Sequence, residues 1–205
     1  MEIKVFTQSA IKISSSINIY FDPYQINSEY HDADYIFITH DHYDHYDEKS
    51  LRNLLKKETI IIAPECLKEK IKALTSNYLI VSPGKSYTIN DISFETVASY
   101  NTNKKFHPKE NAYVGYLLKV EDKYLYIMGD TDETEEALKV NCDICFVPIG
   151  GTYTMDVFEA ASYINKLNPI VAIPIHYGSI VGDITLYKEF TSLVNKNIKV
   201  EVYIR

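Results

Sequence analysis

His40, His42 and His45, with Asp41 and Asp44 between them, put three imidazoles and two carboxylates into six consecutive residues. Imidazole and carboxylate together suit Zn, Mn or Fe, and imidazole is the commonest protein ligand for such metals. In an extended chain, residues two apart point the same way, so His40 and His42 can converge on one ion. A turn into a following helix re-aims Asp44 and His45 toward a second point. Four candidate donors from one loop, facing two ways, suggest two neighbouring metals. The alternative is a solvated polar loop with histidines placed by chance. The chain has only six histidines in 205 residues, and half of them fall here, which weakens that alternative.

Three later groups stand out by position. His107 lies in a loop between two expected strands, Asp130 ends the strand 123–128 within Gly129-Asp130-Thr131-Asp132, and His176 ends the strand 170–175. Each falls where an apolar run meets a turn, and glycines beside Asp130 and near His176 let the backbone come close to a bound group. Taken singly, each has a plain structural reading: a histidine after a strand often caps or is solvated, and Asp130 or Asp132 could cap a helix over 133–138. Taken with the central loop, strand ends gathered at one edge of a sandwich would bring all three beside His40–His45. Asp22 closes an apolar strand before Pro23. It reads equally as a partner orienting a metal-bound imidazole or as a strand terminator. His31, alone in a polar loop, is expected to be solvated. Asp156 with Glu159 forms a capping box and is assigned to structure.

The positioning elements can be read in order. Short strands are expected over 2–7, 10–15 and 17–22, and the β-branched and aromatic run 33–39 reads as a buried strand feeding the histidine loop. A helix over 48–57, N-capped by Asp47, follows that loop. Strand 59–63, a helix over 65–74 and strand 78–82 continue a β-α-β-α-β alternation of helix on sheet. Strands 86–89, 92–100, 113–120 and 123–128 come next, the last two as a hairpin. Strand 144–148, helix 157–167, strand 170–175, helix 184–195 and strand 198–204 complete the chain.

Composition bounds the rest. A chain of this length reads as a single domain, 1–205, able to bury a sizeable core. Its hydrophobic and charged shares, 46% and 24%, are those of a soluble globular protein. No run of eighteen apolar residues suggests a membrane span, and the N-terminus reads as a strand, not a signal peptide, so the expected location is cytoplasmic. A net charge of −7 disfavours a non-specific nucleic-acid binder. Cys66, Cys142 and Cys145 fit a reducing compartment, and the formal C-x-x-C of the last two reads as a pair of small apolar side chains. Oligomeric state is not legible.

The pattern His40-x-His42-x-Asp44-His45, with His107, Asp130 and His176 in order behind it, resembles the signature of the metallo-β-lactamase-fold hydrolases. Gly129-Asp130-Thr131-Asp132, Gly150-Gly151 with Thr154-Met155-Asp156, and Pro174-Ile175-His176-Tyr177-Gly178 look like the branch containing ascorbate-6-phosphate lactonase-like proteins. The resemblance implies an α+β fold, a four-layer αββα sandwich of two mixed sheets flanked by helices, with the site at one edge. It implies that His40, His42 and His107 bind a first metal, that Asp44, His45 and His176 bind a second, and that Asp130 bridges. Histidine at position 42, where di-iron oxygen-reducing members carry glutamate, disfavours redox chemistry. The presence of His45 and the expected lack of a signal peptide set the chain apart from the secreted β-lactamases, and neither the inserted domain nor the extended arm of RNA-processing members is expected.

The expected activity is metal-dependent hydrolysis. Two ions, zinc with manganese or iron as alternatives, about 3.5–4 Å apart, would share a water and lower its pKa toward about 7. The resulting hydroxide would attack a lactone, ester or phosphoester, with Asp44 or Asp130 as the catalytic groups that orient it and shuttle its proton. Lys104, Lys105 and Lys109 flank His107 and either bind a phosphate or carboxylate of a small substrate or form a solvated basic loop, and the expected substrate is a phosphorylated or acidic small molecule. The alternatives are a nuclease or cyclic-nucleotide phosphodiesterase of the same fold, and a non-catalytic metal-binding or sensing module.

Overall fold

The computed structural model describes residues 1–205. Six strands form the first sheet in sequence order: β1 (Glu2–Val5), β2 (Ile11–Ser14), β3 (Asn18–Phe21), β4 (Tyr35–Phe37), β5 (Ile60–Pro64) and β6 (Tyr78–Val81). The β1–β2 and β2–β3 pairs are antiparallel, and those from β3 to β6 are parallel. The parallel half needs crossovers. These are a loop over residues 22–34 between β3 and β4, α1 (Glu48–Leu54) between β4 and β5, and a 3₁₀ turn at Glu65–Leu67 running into α2 (Lys68–Lys72) between β5 and β6. Asp47 caps α1 as its sequence predicts, its side chain accepting from the Lys49 N–H.

The second sheet holds β7 (Ser86–Ile89), β8 (Ile92–Ala98), β9 (Val114–Val120), β10 (Lys123–Ile127), β11 (Ile144–Pro148), β12 (Val171–Ile175) and β13 (Lys199–Val200), in spatial order 13-12-11-10-9-8-7. The strands from β7 to β10 are antiparallel, and β10 to β13 are parallel. The crossover helices here are α3 (Val157–Leu167), which carries the Asp156–Glu159 capping box, and α4 (Leu186–Leu193). The expected strand 198–204 shrinks to two residues. Ala172 faces β13, and the next residue facing the same way is Pro174, which has no N–H to give the following rung.

The two sheets pack face to face with helices outside, the αββα sandwich that the family resemblance implies. The aromatic centre of the core lies between the sheets. Phe37 of β4 meets Phe21 at 5.1 Å, Phe94 at 5.1 Å and Tyr116 at 5.0 Å, all four rings buried. Each such pair contributes about 0.5–1.5 kcal/mol beyond the area it buries. A second apolar cluster, with Ile36 and Ile61 of the sheet against Leu51, Leu54 and Ile71, seats α1 and α2 on the outer face of the first sheet. No helix is long and apolar enough to cross a membrane.

One expected helix is absent. Glu133 and Thr134 are irregular, and Glu135 and Glu136 turn into a 3₁₀ turn at Ala137–Lys139. Asp132 does not cap it. Its carboxylate instead accepts from the Thr102 N–H at 2.8 Å, the Asn101 amide at 3.2 Å and Lys104 Nζ at 2.9 Å. The would-be cap holds the His107 loop in place.

Candidate metal centre

The C-terminal ends of β3, β4, β8, β10 and β12 open on one rim. The chain leaves β4 through Ile38-Thr39 into His40. It leaves β10 through Met128-Gly129 into Asp130, and β12 directly into His176. His107 hangs in the β8–β9 loop. The Val114 N–H donates to the Thr39 carbonyl at 3.1 Å, which ties that loop's exit to the histidine loop across the two sheets. Two glycines permit this convergence. Gly129 has φ +67°, and a Cβ there would press on Thr39 Cβ at 3.0 Å. A Cβ on Gly150 would overlap the His176 carbonyl oxygen. His176 itself (φ 56°), Asp22 (φ 41°) and Gln8 (φ 50°) hold left-handed conformations that only surrounding packing can sustain in non-glycine residues.

All seven residues singled out in the sequence meet here. His42 Nδ1 lies 3.1 Å from His40 Nε2 and 3.2 Å from His107 Nε2. His176 Nε2 lies 3.0 Å from Asp130 Oδ2 and 3.4 Å from Asp44 Oδ2. Asp130 faces both groups: one oxygen is 3.3 Å from His45 Nε2, and the other is 3.4 Å from His107 Nε2. Three sets of donor atoms lie within 4.8 Å of one another, His40–His42–His107, His40–His45–Asp130 and Asp44–His45–His176. Every member except half-buried His42 is buried.

These residues fit a metal better than they fit one another. His45 Nε2, His176 Nε2 and Asp130 Oδ1 are buried and form no aligned hydrogen bond despite their close approach. Such atoms are costly unless something satisfies them. Donors about 2.0–2.1 Å from one tetrahedral ion are themselves about 3.3 Å apart, close to the spacings seen here. The far sides of three rings, those of His40, His45 and His107, are held as a ligand requires. The Thr39 hydroxyl donates to Asp22 Oδ2 at 2.7 Å, so at 2.9 Å it accepts from His40 Nδ1–H. His45 Nδ1–H donates to Asp22 Oδ2 at 2.8 Å, and His107 Nδ1–H to Asn101 Oδ1 at 3.1 Å. Each bond places that ring's proton on Nδ1 and leaves the Nε2 lone pair facing the rim. Asp22, whose role the sequence left open, is therefore an orienting carboxylate, and it also accepts the Thr39 N–H at 2.7 Å.

One residue at the rim escaped the sequence reading. Buried Gln8 donates its side-chain amide to Asp44 Oδ2 at 3.2 Å, and its backbone carbonyl accepts the His176 N–H at 2.9 Å. It sits in the β1–β2 turn, far from every motif, and no local signal marks it. Other residues do not join the site. Tyr43 and Tyr153 wall its cleft, but Tyr177, expected beside them, is buried with its hydroxyl donating to the Ile204 carbonyl. His31 is exposed, with Nδ1 at 2.8 Å from the Leu55 carbonyl. Lys104 is tied to Asp132 and Glu159, and Lys109 to Glu136. No lysine lines the cleft over the rim. A larger concavity, about 720 Å³, opens on the outer face of the second sheet near Glu95, Leu117 and Tyr124. It holds no histidine, so volume alone does not locate the chemistry.

Without a metal, the cluster's protons are divided unevenly. Burial is the largest influence on His45 and His176 and opposes their charge, but Asp130, joined by Asp22 at His45 and by Asp44 at His176, outweighs it and holds His45 well above its ordinary 6.5 and His176 at about 9. Burial wins at His40, which falls well below 6.5, and at His107, which falls to about 4. Burial alone would raise Asp44, but His176 and His45 hold it down at about 2, and they hold Asp130 well below its ordinary value. The raised histidines stabilise the fold fully below pH 6.5 and lose that contribution as pH climbs toward 9. His107 acts oppositely: the unfolded chain takes up its proton between about 4 and 6.5, so stability rises across that window. The metal-free protein is thus expected to be most stable near pH 6.5 and to weaken toward pH 9. Thermal unfolding in chelator across this range checks it, and a curve still rising at pH 9 contradicts it.

Two mixed sheets face to face, helices outside and a histidine–aspartate rim at the strand ends define the class as a metallo-β-lactamase fold. The chain belongs to the β-lactamase superfamily: the family model described as a beta-lactamase superfamily domain matches residues 2–176. A UPF0173 protein of Pyrococcus abyssi is 30% identical over 173 residues, covering 82% of this chain and 79% of that protein. A UPF0173 metal-dependent hydrolase of Enterococcus faecalis is 30% identical over 188 residues, covering 82% of each. Among solved structures, one assigned to a metal-dependent hydrolase of Parabacteroides distasonis superposes with a TM-score of 0.84 at 27% identity, covering 99% of this chain and 93% of that one. Igni18, a metallo hydrolase of Ignicoccus hospitalis, shares the fold with a TM-score of 0.78 at 20% identity, covering 98% and 93%. The chain is a metal-dependent hydrolase of this superfamily.

Proposed function

We propose that the rim holds two divalent cations, one by His40, His42 and His107 and the other by Asp44, His45 and His176, with Asp130 between them. Zinc is the expected metal, with manganese and iron as the alternatives that this donor set accepts. The observation that carries the reading is Asp130, buried, with one oxygen toward His45 and the other within reach of both His107 and His176. When bound, such ions acidify a water and draw charge from the oxygen of the electrophile.

The chain's own groups supply the rest. Asp44, held at about 2, is ionised at neutral pH, so its carboxylate can orient an attacking water by accepting its hydrogen bond. Gln8 fixes that carboxylate from behind. Asp22, Thr39 and Asn101 keep three imidazoles from rotating. The substrates that suit this arrangement are small esters, thioesters, lactones and phosphodiesters. The cleft has no lysine or arginine, which tells against a polyanion such as RNA. A cytoplasmic setting belongs to the same reading, as the three free cysteines suit a reducing compartment.

The test is a panel of lactones, esters and phosphodiesters with metal-loaded protein and with His42→Ala. Turnover that falls at least about a hundredfold in the variant is expected, in line with a lost ligand. Full metal content and full activity in His42→Ala would overturn the ligand assignment.

A further inference from the structure

The cleft above the rim encloses about 410 Å³, within the usual range for a small-molecule site. Apart from candidate ligands, its walls are Asp41, Tyr43, Phe106, Tyr153 and Ile180. Phe106 and Tyr153 meet edge to face with centroids 4.8 Å apart, and Tyr43 leans on Tyr24 at 6.1 Å. Phe106 is 38% exposed and Tyr43 64%, so both present bare ring surface to the cleft. The one charged wall residue outside the ligand set is a carboxylate, Asp41, fixed by the Tyr113 hydroxyl at 2.9 Å.

The lysines of the His107 loop are turned to other work. Lys104 Nζ is 2.9 Å from Asp132 and 3.4 Å from Glu159, and Lys109 Nζ is 2.7 Å from Glu136. Lys105 is exposed and does not line the cleft. An anionic tail entering here would leave water for ring faces, which carry negative potential, and for the Asp41 carboxylate. An alkyl or aryl tail would instead cover surface that is now bare.

Resting on the hydrolase reading above, we propose that the substrate is an uncharged ester, thioester or lactone. Its short alkyl or aryl acyl part seats against Phe106, Tyr153, Ile180 and Tyr43, and carboxylated or phosphorylated analogues are rejected. One water is consumed: its oxygen bonds to the acyl carbon and the acyl–oxygen or acyl–sulfur bond breaks. The water's protons end on the leaving group and on the acid product, which then ionises.

The experiment compares 4-nitrophenyl butyrate with 4-nitrophenyl hemisuccinate, which share the reacting carbonyl and leaving group and differ in the charge of the tail. With metal-loaded protein, kcat/KM is expected to be at least about tenfold higher for the butyrate, the scale of discrimination an apolar pocket gives. Phe106→Ala and Tyr153→Ala should raise KM for the butyrate and narrow the gap, while Lys105→Glu leaves both KM values in place. Equal or reversed preference overturns the proposal. So does an unchanged butyrate KM in both wall variants, or a rise in the hemisuccinate KM with Lys105→Glu. If neither ester turns over, the hydrolase reading fails for esters, and the seat is read by calorimetry with the non-hydrolysed butyranilide and succinanilic acid. Tighter butyranilide binding upholds the apolar seat. Equal binding, tighter acid binding or no heat from either overturns it.

Discussion

Asp130→Ala should lower turnover by at least about a hundredfold and reduce bound metal, because an acid or base in the reaction and a ligand are lost together. No other carboxylate lies within 4 Å of three of the imidazoles: Asp130 lies 3.3 Å from His45, 3.4 Å from His107 and 3.0 Å from His176. The variant also has a signature independent of activity. Asp130 is the largest influence holding His45 and His176 above their ordinary range. Removing it should flatten the loss of metal-free stability between pH 6.5 and 9. Thermal unfolding in chelator reads that change, and elemental analysis reads the metal. Full metal content with full activity would remove Asp130 from the centre of the account.

Asp22→Ala is the second large effect, expressed first in stability. The Asp22 carboxylate is fully buried and takes the Thr39 N–H, the Thr39 hydroxyl and His45 Nδ1–H. Breaking a buried charge pair by removing one partner costs about 3–5 kcal/mol. Orphaning the Thr39 N–H adds to it. The freed His45 ring should also bind metal about 10–100-fold more weakly. Asp22→Asn separates these effects, since its oxygen can still take the backbone N–H but its amide cannot accept from His45. Chemical denaturation of metal-free protein and metal titration of both variants check this. An Asp22→Ala protein as stable as the parent, with unchanged affinity, would show that Asp22 merely ends its strand.

The parts of this site that were legible in the sequence are those written locally. Thr39 to His45 announce themselves because all their donors lie within one turn of chain. Asp130 and His176 were found because each follows an apolar strand, and strand ends share a rim. Helices α1 and α3 were marked by their N-caps, Asp47 and Asp156. What failed was decided by partners far along the chain. Asp132 looks like a helix cap until Asn101 and Thr102, thirty-one and thirty residues earlier, claim its oxygens. Lys104 looks available to an anion until Asp132 and Glu159 fold beside it. Gln8 becomes part of the site only because the β1–β2 turn reaches both Asp44 and His176. Strand β13 stops short because of Pro174 in its neighbour, not because of its own residues.

The measurement that bears most directly on the rim is metal stoichiometry. Purified protein, stripped with chelator and titrated with zinc or manganese under calorimetry, is expected to take up two ions per chain, with His40→Ala and His45→Ala each losing uptake. A chain that binds no ion, or whose uptake is unchanged in both variants, would contradict the account, since the seven side chains would then crowd together for some other reason.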